Sequence, residues 1–432
     1  MNNIIIGAGI TGLSTAFHLK NDYLILEKEN SVGGLCRSIT DNGFIFDYTG
    51  HLLHLRSDYT KKLILELLKN NIKKIRRNSW IYSNNIFTRY PFQANLYGLP
   101  EKIKKECIKG LVETLVKANI PDKKSSFKKW AIHTFGDGFA KNFFIPYNEK
   151  LWRFSLDKMT AEWVTEFVPQ PKLEEVLLGA FQDMKTLYGY NSYFYYPVRG
   201  GIQSLIDSLL CKIKREKLLL NAEVKKINWR KKYIVSSKGE MKYEHLITTI
   251  PLTELLSIME NLPEKIKNAK EKLLCNSVYC FNIGIKKGAI QKDKHWIYFP
   301  EKKFIFYRVG FYHNFSRYLV PDGCSSLYVE VSTKFGENLN QKTALEKTIK
   351  DLNACGILKK GDKILTLNIL PIRYAYIIYN RNRNEALEII QSFLKKNKIF
   401  SIGRFGAWKY SYMEESILDG KEIAELINGR KN

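Results

Sequence analysis

The stretch Ile4-Ile5-Ile6-Gly7-Ala8-Gly9-Ile10-Thr11-Gly12-Leu13 decides the fold of this 432-residue chain. A β-branched apolar run reads as a buried strand, and three glycines at GxGxxG spacing follow it. A helix-compatible segment, residues 13–19, comes next. A dinucleotide requires that order: the turn at Gly7, Gly9 and Gly12 lets backbone N–H groups approach a pyrophosphate, and the helix dipole faces it. A second apolar run, residues 23–26, ends in Glu27, placed to accept hydrogen bonds from an adenosine ribose.

Beyond Glu27 the chain offers Val32-Gly33-Gly34-Leu35-Cys36-Arg37 and then Phe46-Asp47-Tyr48-Thr49-Gly50-His51. A nicotinamide dinucleotide has no use for a second glycine loop with a basic residue so soon after the ribose acid. FAD does, because its ribityl chain and second phosphate run past the first helix. Gly34, Leu35, Arg37, Gly50 and His51 are therefore expected at the cofactor. The segment from Ile4 to His51 resembles the N-terminal FAD site of the amine oxidase and protoporphyrinogen oxidase superfamily.

Composition sets the bounds. A length of 432 residues favours two or three interleaved subdomains. The seven cysteines are odd in number and lack CxxC spacing, which predicts cytoplasmic thiols, with neither disulfides nor a metal site. No apolar run reaches about 18 residues, the length that predicts a membrane span. Lys and Arg number 69 against 43 Asp and Glu, a formal charge of +26 spread along the chain. A solvated lysine-rich surface accounts for this charge, and no nucleic-acid motif accompanies it. A weak peripheral hold on an anionic membrane is a further partner that such a charge suits.

The rest of the pattern gives an α/β fold class: a Rossmann-like FAD-binding domain with a helical insertion and a β-sheet substrate domain. The expected boundaries are residues 1–58, 193–251 and 396–432 for the discontinuous FAD-binding domain, 59–192 for the mainly helical domain, and 252–395 for the substrate domain. Residues 222–227, 232–236, 239–243 and 245–250 read as strands returning to the nucleotide domain, with Val224 near the adenine. Arg199-Gly200-Gly201 is expected to bring backbone close to a flat ring. In the substrate domain an arginine within an aromatic run, Ile305-Phe306-Tyr307-Arg308, must find an anion or stack. The last helix, 413–427, is expected to aim its N-terminus, with Glu415 and Ser416, at the pyrimidine end of the flavin.

Five blocks occur in one order: Tyr90-Pro91-Phe92-Gln93-Ala94-Asn95, Pro146-Tyr147-Asn148 with Trp152, Tyr195-Tyr196-Pro197-Val198-Arg199-Gly200-Gly201, His295-Trp296-Ile297-Tyr298 through Arg308, and Gly403-Arg404-Phe405-Gly406-Ala407-Trp408-Lys409-Tyr410. Together they resemble the UDP-galactopyranose mutase family, in its eukaryotic more than its bacterial type. The resemblance implies interconversion of the pyranose and furanose forms of a nucleotide sugar, by attack of reduced FAD through N5 on the anomeric carbon. It implies catalytic roles for His51 and Arg308, cofactor contacts from Gly403, Arg404 and Tyr410, and a substrate site of Gln93, Asn95, Asn148, Trp152, Asn191, Trp296, Tyr298, Arg308, Tyr376 and Tyr410. The flavin must also be reduced once; no separate NAD(P)H motif is seen, so a nicotinamide reductant would use the substrate cleft.

Several positions depart from that family. Thr49 replaces a glycine, Phe167 replaces a substrate-contacting arginine, Arg56 stands where a histidine is expected, Ile202-Gln203-Ser204 follows Gly201 in place of a second glycine-rich turn, and no proline follows Tyr376. Two other readings stand beside the mutase: a flavin oxidoreductase of the amine oxidase or protoporphyrinogen oxidase type, and a non-catalytic flavin-binding protein.

Overall fold

The computed structural model of the protein describes residues 3–117, 122, 124–164, 167–186, 188, 192–288 and 290–429. At its centre the strand Asn3–Ile6 is buried along its whole length. It lies in a five-stranded parallel sheet, ordered Ile399–Ser401, His245–Thr248, Asn3–Ile6, Tyr23–Leu26 and Leu218–Leu219. Burial on both faces explains why the run is continuously apolar instead of alternating. The helix Ile10–His18 leaves the carboxyl end of this strand, and Met413–Ile427 packs across it. Their contact is backbone to backbone, since a Cβ on Gly420 would lie 2.7 Å from the Thr11 carbonyl oxygen. A three-stranded meander, Val224–Asn228, Tyr233–Ser236 and Gly239–Lys242, flanks the sheet as the sequence predicts.

The second large element is an eight-stranded sheet. Its main path runs Ile364–Ile372, Leu274–Ile285, Ser325–Lys334, Arg308–Phe311, Trp296–Tyr298, Ser79–Ser83 and Ile86–Arg89, with Ile377–Ile378 paired beside Leu274–Ile285. One face carries Phe281, Ile283, Ile297, Val309, Phe311, Leu327 and Val329 into a core shared with the helix Gln341–Ala354. The strand period of two turns the alternate residues to the opposite face. Register aligns Trp296, Gly310, Tyr328, Asn282 and Asn368 in one row, and Tyr298, Arg308, Glu330, Cys280 and Leu370 in the next.

The regular elements between 101 and 181 are helical among the described residues: Glu101–Lys117, Phe127–Phe139, a wide π turn Ala140–Phe144, Ile145–Trp152 and Leu173–Phe181. The expected helical segment beginning at 59 is therefore only partly helical. Ser79–Ser83 joins the large sheet through a parallel pairing with Trp296–Tyr298, and Ile72–Arg76 pairs with Tyr193–Pro197, which lies outside the nucleotide sheet. Alternation in the sequence marks these strands, but it carries no record of their distant partners.

Glycines let the first two helices of this block touch. A Cβ on Gly138 would lie 2.2 Å from the Glu106 carbonyl oxygen, and Gly136, at φ +80°, would put one 2.1 Å from the carbonyl carbon of Gly110. Gly138→Ala must push the helices apart, and overpacking of this kind costs about 1–3 kcal/mol. A urea melt of the variant should show the midpoint lowered with the m-value unchanged.

Candidate active site

The glycine turn is built as its spacing requires. Gly7 has φ +100°, and a Cβ on Gly12 would lie 2.0 Å from the Gly7 carbonyl oxygen, so the helix starts hard against the strand end. Gly9 is the N-cap and has no side chain to satisfy the first-turn N–H groups, which leaves them for an anion. The carboxylate of Glu27 accepts from Ala8 N at 2.7 Å and Glu29 N at 3.0 Å, fixing it at the mouth of the turn. Gly33 and Gly34, at φ +116° and +57°, bring the second loop against the first through a bridge between Gly9 and Gly33. Leu35 packs against the aromatic core, while Arg37 bonds the Gly34 carbonyl at 2.9 Å and lies 4.9 Å from the centre of the Tyr48 ring. The Ala222 N–H reaches the Glu27 carbonyl at 2.8 Å, which brings the start of the Val224 strand beside Glu27.

Gly50 is required by its neighbour, because a Cβ there would meet the Tyr328 hydroxyl at 2.4 Å. Thr49 causes no strain, since its φ is not positive. His51 follows, and its Nδ1 is buried with no hydrogen-bond partner among the described residues. Burial, followed by the charges of Arg404 and Arg308, lowers its pKa to about 4, so the imidazole is neutral at pH 7. A buried, unpaired ring nitrogen facing two arginines fits a polar cofactor edge. In the Arg199-Gly200-Gly201 turn a Cβ on Gly201 would lie 2.4 Å from Ser38 Oγ and 2.8 Å from Asp47 Oδ1, so the glycine makes room for these two side chains.

Arg308 finds its anion on the next strand. Its Nε and Nη2 donate to Glu330 Oε2 and Oε1 at 2.5 and 2.7 Å, and Glu330 is fully buried. The lone acid in Ser325–Lys334 was the signal in the sequence for this partner. The pair is a bidentate fork that leaves Nη1 without a protein partner among the described residues. Tyr298 is the direct cross-strand neighbour of Arg308, and its ring packs against Tyr90 at 5.1 Å and Tyr147 at 5.5 Å. Trp296, on the same face, is buried with Nε1 unpaired.

Opposite lies an aromatic wall. Tyr376 and Tyr410 stack with centroids 6.1 Å apart, and Trp152 meets both, at 5.6 and 6.2 Å. The Tyr376 hydroxyl is 3.5 Å from that of Tyr307. Burial raises the pKa of the Tyr410 and Tyr298 phenols, so both remain hydrogen-bond donors at neutral pH. Arg404 bonds the Ser411 and Ala375 carbonyls and lies 5.1 Å from the Tyr410 ring centre. Gly403, at φ +78°, packs onto Thr11 and joins this wall to the dinucleotide helix. Phe167 meets Tyr410 edge to face at 4.6 Å, so an aromatic edge occupies the position of the missing arginine.

Other expected residues bond to the protein, although Asn95 Oδ1 is buried with no partner among the described residues. Gln93 donates to the Pro169 carbonyl at 2.5 Å and Asn95 to that of Pro91 at 3.0 Å, and both are buried. Asn148 donates to the Phe144 carbonyl and accepts from Trp152 Nε1 at 2.9 Å. Asn191 lies outside the described residues. In the last helix Glu414 accepts from Arg56 N, Ser57 N and the Thr60 hydroxyl, and Glu415 and Ser416 share its first turn. Asp47 was not anticipated. Burial pushes its pKa up to about 6 against hydrogen bonds from Ser38, Tyr196 and Ile202 N.

The family of flavin-containing amine oxidoreductases matches residues 10–428. The chain belongs to that family. It is an FAD-dependent enzyme of the UDP-galactopyranose mutase-like branch. A solved structure of reduced UDP-galactopyranose mutase superposes with a TM-score of 0.94 at 30% identity, covering 100% of this chain and 96% of that one. A putative protoporphyrinogen oxidase from Exiguobacterium sp. 255-15 shares the fold, at TM-score 0.79 and 15% identity over 100% and 99% of the two chains. A 1-hydroxycarotenoid 3,4-desaturase of Flavobacterium sp. (strain P99-3) is 24% identical over 85% of this chain and 82% of its own. No helix among the described residues is long and apolar enough to cross a membrane, and no group of three or more His, Cys, Asp or Glu there could hold a metal.

His51, His54 and His295 are all held near pKa 4, chiefly by burial. Between pH 4 and 6.5 the folded chain thus binds fewer protons than the unfolded one. The stability these groups provide is full above 6.5 and is lost as pH falls through 4. Asp47, raised to about 6, acts in the opposite sense with one proton. The net uptake on unfolding near pH 5 is about two protons, or about 2.5 kcal/mol lost per pH unit. Urea midpoints measured at pH 6.5 and 5 should fall accordingly.

Proposed function

We propose that the enzyme interconverts the pyranose and furanose forms of UDP-galactose or a closely related nucleotide sugar, with its flavin reduced. The observation that carries this reading is the facing of two tyrosines, Tyr376 and Tyr410, with Arg404 beside them and the Arg308 fork on the sheet. Oxidation of an amine or a desaturation releases no diphosphate and needs no such clamp; cleavage of a glycosyl diphosphate does. The 30% identity to a UDP-galactopyranose mutase along the full chain supports the same reading.

The reduced flavin, bound against the glycine turns, would supply a nucleophilic nitrogen to the sugar. The residues of the chain bind and orient. Tyr376 and Tyr410 donate hydrogen bonds to the diphosphate as it departs, without adding charge. Arg308 meets the developing negative charge through Nη1 while Glu330 holds the guanidinium in plane. Trp296 and Tyr298 line the sugar side, and neutral His51 faces the flavin. Phe167 removes one cation from this cleft, so the aromatic edge must hold part of the substrate by packing.

The reductant we infer is a nicotinamide dinucleotide. A cavity of about 200 Å³ beside Tyr90 is lined by Arg76, Arg77, Arg89 and Lys185, and Ser79 Oγ there is buried and has no partner among the described residues. Arg89 is paired with Asp183, and Arg76 and Arg77 each donate to a backbone carbonyl, so a phosphate group would meet the positive charge that these bonds leave over.

Anaerobic incubation of the dithionite-reduced protein with UDP-galactopyranose and other nucleotide sugars, with products separated by chromatography, should yield a furanose. If no sugar is converted while an amine or a porphyrinogen bleaches the oxidised flavin, the mutase reading fails. Arg308→Ala would strand the buried Glu330 carboxylate and confound the result. Arg308→Lys preserves the charge and loses the fork, so turnover should fall about 100-fold or more, in line with loss of a transition-state donor, with FAD content unchanged. Reduction by NADPH should slow in Arg76→Ala while dithionite-driven turnover stays as in the parent protein.

A further inference from the structure

Tyr410 is aimed by a turn that the chain would not adopt unaided. Trp408, two residues earlier, is a bulky residue at φ +51°, in the left-handed region that favours glycine. Its side chain is fully buried. What holds the turn comes from outside it. Arg383 directs Nε, at 3.1 Å, and Nη2 onto the Trp408 carbonyl, and its guanidinium lies 4.0 Å from the centre of the Tyr379 ring. The Tyr379 hydroxyl in turn accepts the Tyr410 N–H at 2.9 Å. Arg383 is 7% exposed and forms no ion pair among the described residues, so a buried cation is spent on gripping one carbonyl.

The same group reaches the other side of Tyr410. Arg383 Nη1 donates to Asn384 Oδ1 at 2.8 Å, and Asn384 Nδ2 donates to the Glu162 carboxylate at 3.1 and 3.2 Å. Glu162 precedes Trp163, whose ring is 6.0 Å from that of Tyr410. The Tyr379 carbonyl takes the Thr160 N–H at 2.6 Å, tying in the start of that loop.

We propose that Arg383 and Tyr379 are positioning residues that brace the turn at Trp408 and so set the distance of Tyr410 from Tyr376 and Arg404. The inference rests on the nucleotide-sugar reading for its ligand, but the brace can be tested without one. Both act through backbone atoms of residues 408 and 410.

Tyr379→Phe removes only the acceptor hydroxyl and keeps the ring beneath Arg383. Arg383→Met removes the fork. With holoprotein, hydrogen exchange of the peptide spanning 404–412 and UDP titration followed by flavin absorbance should be measured together. Tyr379→Phe should keep its FAD and its Tm within about 3 °C, exchange the Tyr410 amide at least about tenfold faster, and bind UDP about tenfold more weakly. Arg383→Met should show the same weakening beyond any loss of FAD. Unchanged exchange overturns the brace; faster exchange with UDP affinity within about twofold overturns its role in positioning. Should the parent protein bind no UDP, the nucleotide-sugar reading fails, and exchange at Tyr410 alone then decides the brace.

Discussion

One buried carboxyl group joins the parts of this molecule. Asp47 accepts from Ser38 Oγ and Tyr196 OH, both at 2.6 Å, and from Ile202 N at 3.1 Å, while its backbone carbonyl takes the Tyr312 hydroxyl at 2.7 Å and Asn282 Nδ2 at 3.3 Å. Through these five contacts the segment leading to His51 is tied to the flavin side, to the helix Gln203–Leu210 and to the large sheet. A buried polar hub is stable only when every bond is made. That demand explains Gly201, whose missing side chain leaves room for Asp47 and Ser38.

The cleft lies between that hub and two rigid walls. One wall is a sheet, where register places Tyr298, Arg308 and Glu330 side by side on one face. The other is a turn and a short strand, where Tyr376 and Tyr410 stack under the influence of Arg404. The phenols can donate and the guanidinium groups are held by Glu330 and by backbone carbonyls, so both walls carry fixed hydrogen-bond donors. Packing of the Tyr376 and Tyr410 rings against Trp152 ties the second wall to the helical block.

Charge is distributed unequally in this cleft. Glu330 offsets Arg308, and Arg404 is occupied by backbone carbonyls, with no partner acid among the described residues. Phe167 meets Tyr410 beside it as an uncharged aromatic edge.

The sequence alone determined the dinucleotide turn, the segment leading to His51 and where several strands lie along the chain. Local steric rules govern glycine spacing, and strand period governs burial, so these features are written within a few residues of one another. The same holds for the last helix, which begins and ends where its pattern places it. Only the tertiary structure decided that Arg308 pairs with Glu330, that Gln93 and Asn95 bond backbone carbonyls, that Gly201 clears Asp47, and that Arg383 braces a turn 25 residues away. Each of these joins groups far apart in the chain. Residue type shows that a buried polar group needs a partner, but pairing across a sheet or between loops depends on register and closure, which no local pattern encodes.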